Sequence, residues 1–128
     1  MNAQRRKPAA GARMRSGRMR RVDEAVREVL SDGIAKHLQD PRVGFVTVTA
    51  VRTSSDLRNA RVYVSVFGDE ESREATLEGL RSAHGLLQRL LASELTLKHT
   101  PTLTFEYDES VDRGMRITQL LADQDEHA

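Results

Sequence analysis

The sequence predicts a two-layer α+β domain in which helices cover one face of a small sheet. Two runs, 45–51 and 60–67, alternate β-branched and polar residues with the period of a strand. Two longer stretches, 22–38 and 72–95, repeat apolar residues with the period of a helix. A third alternating run at 103–107 comes after both, so the order is helix, strand, strand, helix, helix, strand. At 128 residues the chain suits one domain, and a 38% hydrophobic, 30% charged composition suits a small, highly charged one.

The first helix is expected from about Arg18–Asp23 to Gln39, with Val22, Val26, Val29, Leu30, Ile34 and Leu38 on one face. Asp23 and Glu24 then fall in its first turn, where carboxylates complement the helix dipole. Asp40-Pro41 stops it, because the residue before proline is pushed out of the α region. Phe45–Val51 and Ala60–Phe67 follow, joined by a short loop rich in Ser and Asp, which predicts an antiparallel hairpin. Ala60, Val62, Val64 and Val66 share one face of the second strand.

The segment from Ser72 to Leu95 holds the densest apolar stripe: Leu77, Leu80, Leu86, Leu87, Leu90 and Leu91. At about 100° per residue the arcs before and after Gly85 are offset by roughly 80°. A mid-helix glycine also costs about 1 kcal/mol relative to alanine. Two helices meeting at Ser82-Ala83-His84-Gly85 explain both facts better than one rod. A connector through Pro101 leads to the third strand, and Val111–Leu121 is expected to form a last short helix. The pattern leaves the strand order open.

Composition excludes several functions. There are no cysteines, so disulfides and cysteine-ligated zinc are out. No apolar run approaches the roughly 20 residues of a membrane span, and the N-terminus lacks the apolar core of a secretory signal. The four histidines show no metal-ligand spacing, and neither GxxxxGK[ST], GxGxxG nor GxSxG occurs. The expectation is a non-enzyme without metal or cofactor.

Charge is more telling. Residues 1–21 carry eight basic side chains and no acid, whereas the remainder carries 12 basic against 19 acidic ones. A basic arm on an acidic body suits a chain that meets nucleic acid with one end. Residues 1–17 are expected to be a disordered basic arm, 18–121 the folded domain, and 122–128 a frayed tail. The candidate RNA contacts are Arg13, Arg15, Arg18, Arg20 and Arg21 at this end, with Arg81, His84, Arg89 and Lys98 around or after the helix break. The strand aromatics are assigned to the core. That assignment argues against base stacking and for recognition of RNA shape and backbone.

The runs RMRRVDEAVREVLSDGI, DPRVGFVTVTAV, SSDLRNARVYVSVFGDEE, LRSAHGLLQRLL and LKHTPTLTFEYDESVDRGMRI resemble the ribosome-binding factor A family, in order and spacing, across about residues 18–121. The resemblance implies a type II KH-like fold, αββααβ. It also implies a cytoplasmic, monomeric assembly factor that binds the free small (30S) ribosomal subunit and its 16S rRNA. Its implied roles are late maturation, 5′-end processing of that rRNA and growth in the cold, with GTPase assembly factors as partners in release. KH domains clamp a nucleotide backbone with GxxG between two helices. Here Ser82-Ala83-His84-Gly85 stands in that place, and Ala83-His84-Gly85 matches the Ala-x-Gly kink of the resembled family. A generic KH-like single-stranded RNA binder is the alternative.

Overall fold

The computed structural model describes residues 15–113 and 120–121. Helix α1 (Gly17–His37) is followed by strands β1 (Val46–Thr53) and β2 (Asn59–Val66). Helices α2 (Glu70–Ser82) and α3 (His84–Glu94) and strand β3 (Thr102–Tyr107) complete the αββααβ order of a type II KH-like domain. The expected helix over Val111–Leu121 lies largely outside the described residues; residues 109–113 and 120–121 are helical.

The sheet has the order β1-β2-β3. β1 and β2 pair antiparallel from Val46↔Val66 to Thr53↔Ala60, with a bulge between Val48 and Ala50. β2 and β3 pair in parallel from Asn59↔Thr102 to Val64↔Tyr107. Parallel neighbours need a long crossover, and α2 with α3 supplies it. α1 packs on β1 and α3, and α2 on β3 and β2, all on one face. The core between the layers is aliphatic, as the composition requires. Val26, Leu30, Val62, Val64, Leu80, Leu87 and Leu91 are buried around Phe105. None of these three helices covers the opposite face, where Thr47, Ala50, Arg61 and Thr104 are exposed.

α1 begins earlier than the apolar pattern suggests. Ser16 caps it, its hydroxyl accepting from the Met19 N–H at 3.1 Å. Asp23 and Glu24 therefore sit beyond the first turn, which contains no acid. Ser16 and Gly17, which the sequence reading placed in the basic arm, are the cap and first residue of α1. The helix ends at His37, two residues before the expected Gln39, and Leu38 is already extended. In the next turn Asp40 accepts from the Arg42 backbone and guanidinium, and these bonds hold its carboxyl down at about 2.

Three of the aromatics assigned to the core are not in it. One of them, Tyr63, alternates with the buried Val62 and Val64 and is half-buried on the other side of the sheet. Phe45 precedes β1 and is 84% exposed, and Phe67 follows β2 and is 82% exposed. Leucine and valine from the helices fill the interior, which leaves room for one large ring, Phe105.

α2 meets the turn after α1 at close range. Thr76 is buried, with its hydroxyl accepting from Gly44 N–H at 3.2 Å and donating to the Arg42 carbonyl at 3.4 Å. One turn on, a Cβ on Gly79 would stand 2.6 Å from Val43 Cγ2. A valine is stiff at χ1 and cannot swing away cheaply. Gly79→Ala is thus expected to lower stability by about 1–2 kcal/mol, overpacking outweighing the helix preference of alanine. Urea denaturation checks this, and a stabilised variant would refute the close packing.

Candidate nucleic-acid interface

The first basic group stands on the exposed first turn of α1: Arg18, Arg20 and Arg21 all face solvent. A buried electrostatic clamp fixes where this turn points. Asp23 accepts from the Thr53 N–H at 2.9 Å and pairs with Arg15 Nε at 2.9 Å, while Arg15 Nη2 donates to the Thr53 carbonyl at 2.8 Å. The two side chains are only 16% and 13% exposed. Because β1 is an edge strand, the clamp also occupies the backbone groups at its end. Arg15 is thereby engaged inside the fold by Asp23 and the Thr53 carbonyl. Arg13 lies outside the described residues. Lys98 is exposed in the segment that enters β3, at the same end of the sheet, where Thr102 N–H donates to the Arg58 carbonyl.

The second group surrounds the helix break. The break itself falls at Ala83 (φ −92°, ψ 8°), His84 opens α3, and Gly85 lies inside it. The His84 ring bonds through Nδ1 to the Arg81 carbonyl at 2.9 Å, so that ring nitrogen is the donor and ties the end of α2 down. Arg81 turns its guanidinium to the Phe105 carbonyl at 3.1 Å, bracing α2 on β3. Arg89 is exposed, and its Nη1 would lie 3.7 Å from a Cβ on Gly85. The start of α3 has no side-chain cap and no acid in its first turn. The start of a helix carries the positive end of its dipole, which suits an anion.

Gly85 is informative because the fold does not ask for it. Its φ is not in the left-handed region, and an added Cβ would make only an ordinary contact. The absent side chain leaves room for another backbone to come close at this point.

The two groups do not merge into one stripe. Leu90, next to Arg89, packs against Gly33 of α1, fifteen residues beyond Arg18. At about 1.5 Å per residue that separates them by roughly 20 Å along α1. Sequence reasoning also missed a third cationic feature. Arg52 and Arg61 stand directly opposite each other on β1 and β2, and Glu106 reaches only Arg61, at 3.3 Å. Like charges paired across strands are unfavourable. Recognising the pair from sequence required the register and the bulge that sets it.

Among the described residues no helix is long and apolar enough to cross a membrane. Nor does any group of three or more His, Cys, Asp or Glu among them suit a metal ion.

The family model for ribosome-binding factor A matches residues 18–121. The ribosome-binding factor A of Halothermothrix orenii is 44% identical over 108 residues, 84% of this chain and 88% of that protein. That of Geobacter sulfurreducens is 46% identical over 104 residues, 81% of this chain and 88% of its own length. The crystal structure of ribosome-binding factor A from Thermus thermophilus superposes with a TM-score of 0.63 at 31% identity, covering 70% of this chain and 94% of that one. A homology model of the Thermus thermophilus factor, fitted into the cryo-EM map of a 30S complex, gives a TM-score of 0.57 at 32% identity. It covers 68% of this chain and 91% of that one. With the αββααβ order, the Ala83 break and these matches in agreement, the chain belongs to the ribosome-binding factor A family.

Proposed function

We propose that the chain is a non-catalytic assembly factor that binds the free small ribosomal subunit through its 16S rRNA. It acts late in maturation, including 5′-end processing of that rRNA and growth in the cold. It works in the cytoplasm as a monomer, and GTPase assembly factors take part in its release. The observation that carries this reading is the exposed, uncapped start of α3, where Gly85 leaves space for a phosphate backbone beside Arg89. It is supported by the relative fitted into a 30S complex, which shares the fold at 32% identity.

The test is co-sedimentation with purified small subunits over a range of salt. Each phosphate contact contributes roughly 0.7–0.9 to the log–log slope, so replacing Arg18, Arg20 and Arg21 together by Gln should reduce the slope by about two. Removing residues 1–14, which spares the Arg15 clamp, should weaken binding further. Binding that is indifferent to salt would sink the electrostatic mechanism. Displacement by a modest excess of an unstructured oligonucleotide would favour a generic single-strand binder instead.

A further inference from the structure

The exposed pair Phe45 and Phe67 is unexplained by RNA contact. The Phe67 N–H donates to the Phe45 carbonyl at 3.0 Å, one step beyond the Val46↔Val66 pair, so the two rings flank one end of the hairpin. Val46 packs against the core and Val66 is buried, so alternation sends their neighbours Phe45 and Phe67 to the face of the sheet away from α1, α2 and α3. Burying neither ring inside leaves roughly 300 Å² of apolar surface in water, the size of patch that is often functional.

The surroundings decide what it fits. Directly after Phe67 the chain turns at Gly68 into the start of α2, where Asp69, Glu70 and Glu71 are all exposed. Among the described residues neither Glu70 nor Glu71 has a basic partner within 4 Å. The nearby arginines are engaged. Arg42 is held by Asp40 at 2.7 Å, and Arg73 stacks 3.9 Å over the Tyr107 ring with Asp112 at 3.5 Å. A phosphate backbone would be repelled here. A second copy of this chain would bring the same acidic rim to an isologous contact, and the patch is well short of the roughly 800 Å² per partner of a stable interface.

We propose that Phe45 and Phe67 form an anchoring site for a short basic polypeptide segment of another protein. Such a segment would lay an apolar side chain on the two rings and set its lysines or arginines against Asp69, Glu70 and Glu71. The site stands apart from the basic turn of α1, because it lies at the end of the sheet opposite the Arg15 clamp.

The test uses the full chain and a fluorescent lysine-rich peptide carrying one central tryptophan flanked by leucines. Two control peptides replace the apolar residues by serine or the lysines by glutamate. The cationic apolar peptide is expected to bind at least tenfold more tightly than either control, about 1.4 kcal/mol. The double variant Phe45→Ser/Phe67→Ser should lose that advantage while keeping its melting temperature and its subunit binding. Equal binding of the two lysine peptides, or undiminished binding by the double variant, would overturn the proposal. Self-association of the wild type that the double variant abolishes would assign the patch to a second copy. Loss of single-stranded RNA binding in the double variant would assign it to base stacking.

Discussion

Asp23→Ala is expected to destabilise the domain by about 3 kcal/mol, measured by urea denaturation. The substitution removes the acceptor of the Thr53 N–H and the counter-charge of a mostly buried guanidinium together. A buried charge stripped of its partner costs about 3–5 kcal/mol, and an unpaired backbone donor about 1–3. The long Arg15 side chain already has its edge at the surface and can swing toward water, which holds the total near the lower figure. Asp23→Asn keeps an acceptor for Thr53 and should cost less. Adding Arg15→Leu to Asp23→Ala should recover part of the loss, because it removes the stranded charge. A loss below about 1 kcal/mol for Asp23→Ala would mean that the clamp does not hold the start of α1.

Gly85→Ala should separate stability from function. In the free protein, alanine near the start of α3 is expected to raise stability by up to about 1 kcal/mol, since helix propensity improves and the Cβ meets no hard contact. Subunit affinity is expected to fall at least tenfold, because that Cβ occupies the space a phosphate backbone would use. The opposing signs matter, as a merely structural glycine would lose stability and affinity together. A variant that is more stable and binds unchanged would remove α3's start from the contact. Ser82→Gly, restoring a GxxG spacing with Gly85, offers a complementary measurement, since it should raise affinity for unstructured RNA oligonucleotides if the first glycine governs strand clamping.

Local patterning made much of the architecture legible. The alternation of Ala60, Val62, Val64 and Val66 names the buried face of β2, and the offset leucine arcs name two helices where one long stripe runs. Both follow from side-chain period, which is a property of the backbone alone. The helix break was legible too, and the residue at which it falls, Ala83, lies within the expected hinge Ser82-Ala83-His84-Gly85. Gly85 drew attention because of its low helix propensity, while the chain leaves helical geometry at Ala83, where α2's last carbonyls accept from the Ala83 N–H.

The site was only half legible. The exposure of Arg18, Arg20 and Arg21 follows from local charge density, but the role of Arg15 depends on Asp23 eight residues on and Thr53 thirty-eight on. Arg81 is exposed, but its bond to the Phe105 carbonyl, twenty-four residues on, is invisible in the sequence. Phe45 and Phe67 read as core because aromatic rings usually are. Their places outside the interior follow from alternation with the core-facing Val46 and Val66, at the end of the hairpin where no helix from the other face reaches them.

By itself, then, the sequence determined the elements, their order, the aliphatic core and the family, because each rests on periodicity or on runs of neighbouring residues. Only the tertiary structure decided which arginines are free, which glycine the packing requires and which aromatics reach water. Those outcomes depend on contacts between residues far apart in the chain, and on a strand register that one bulge is enough to shift.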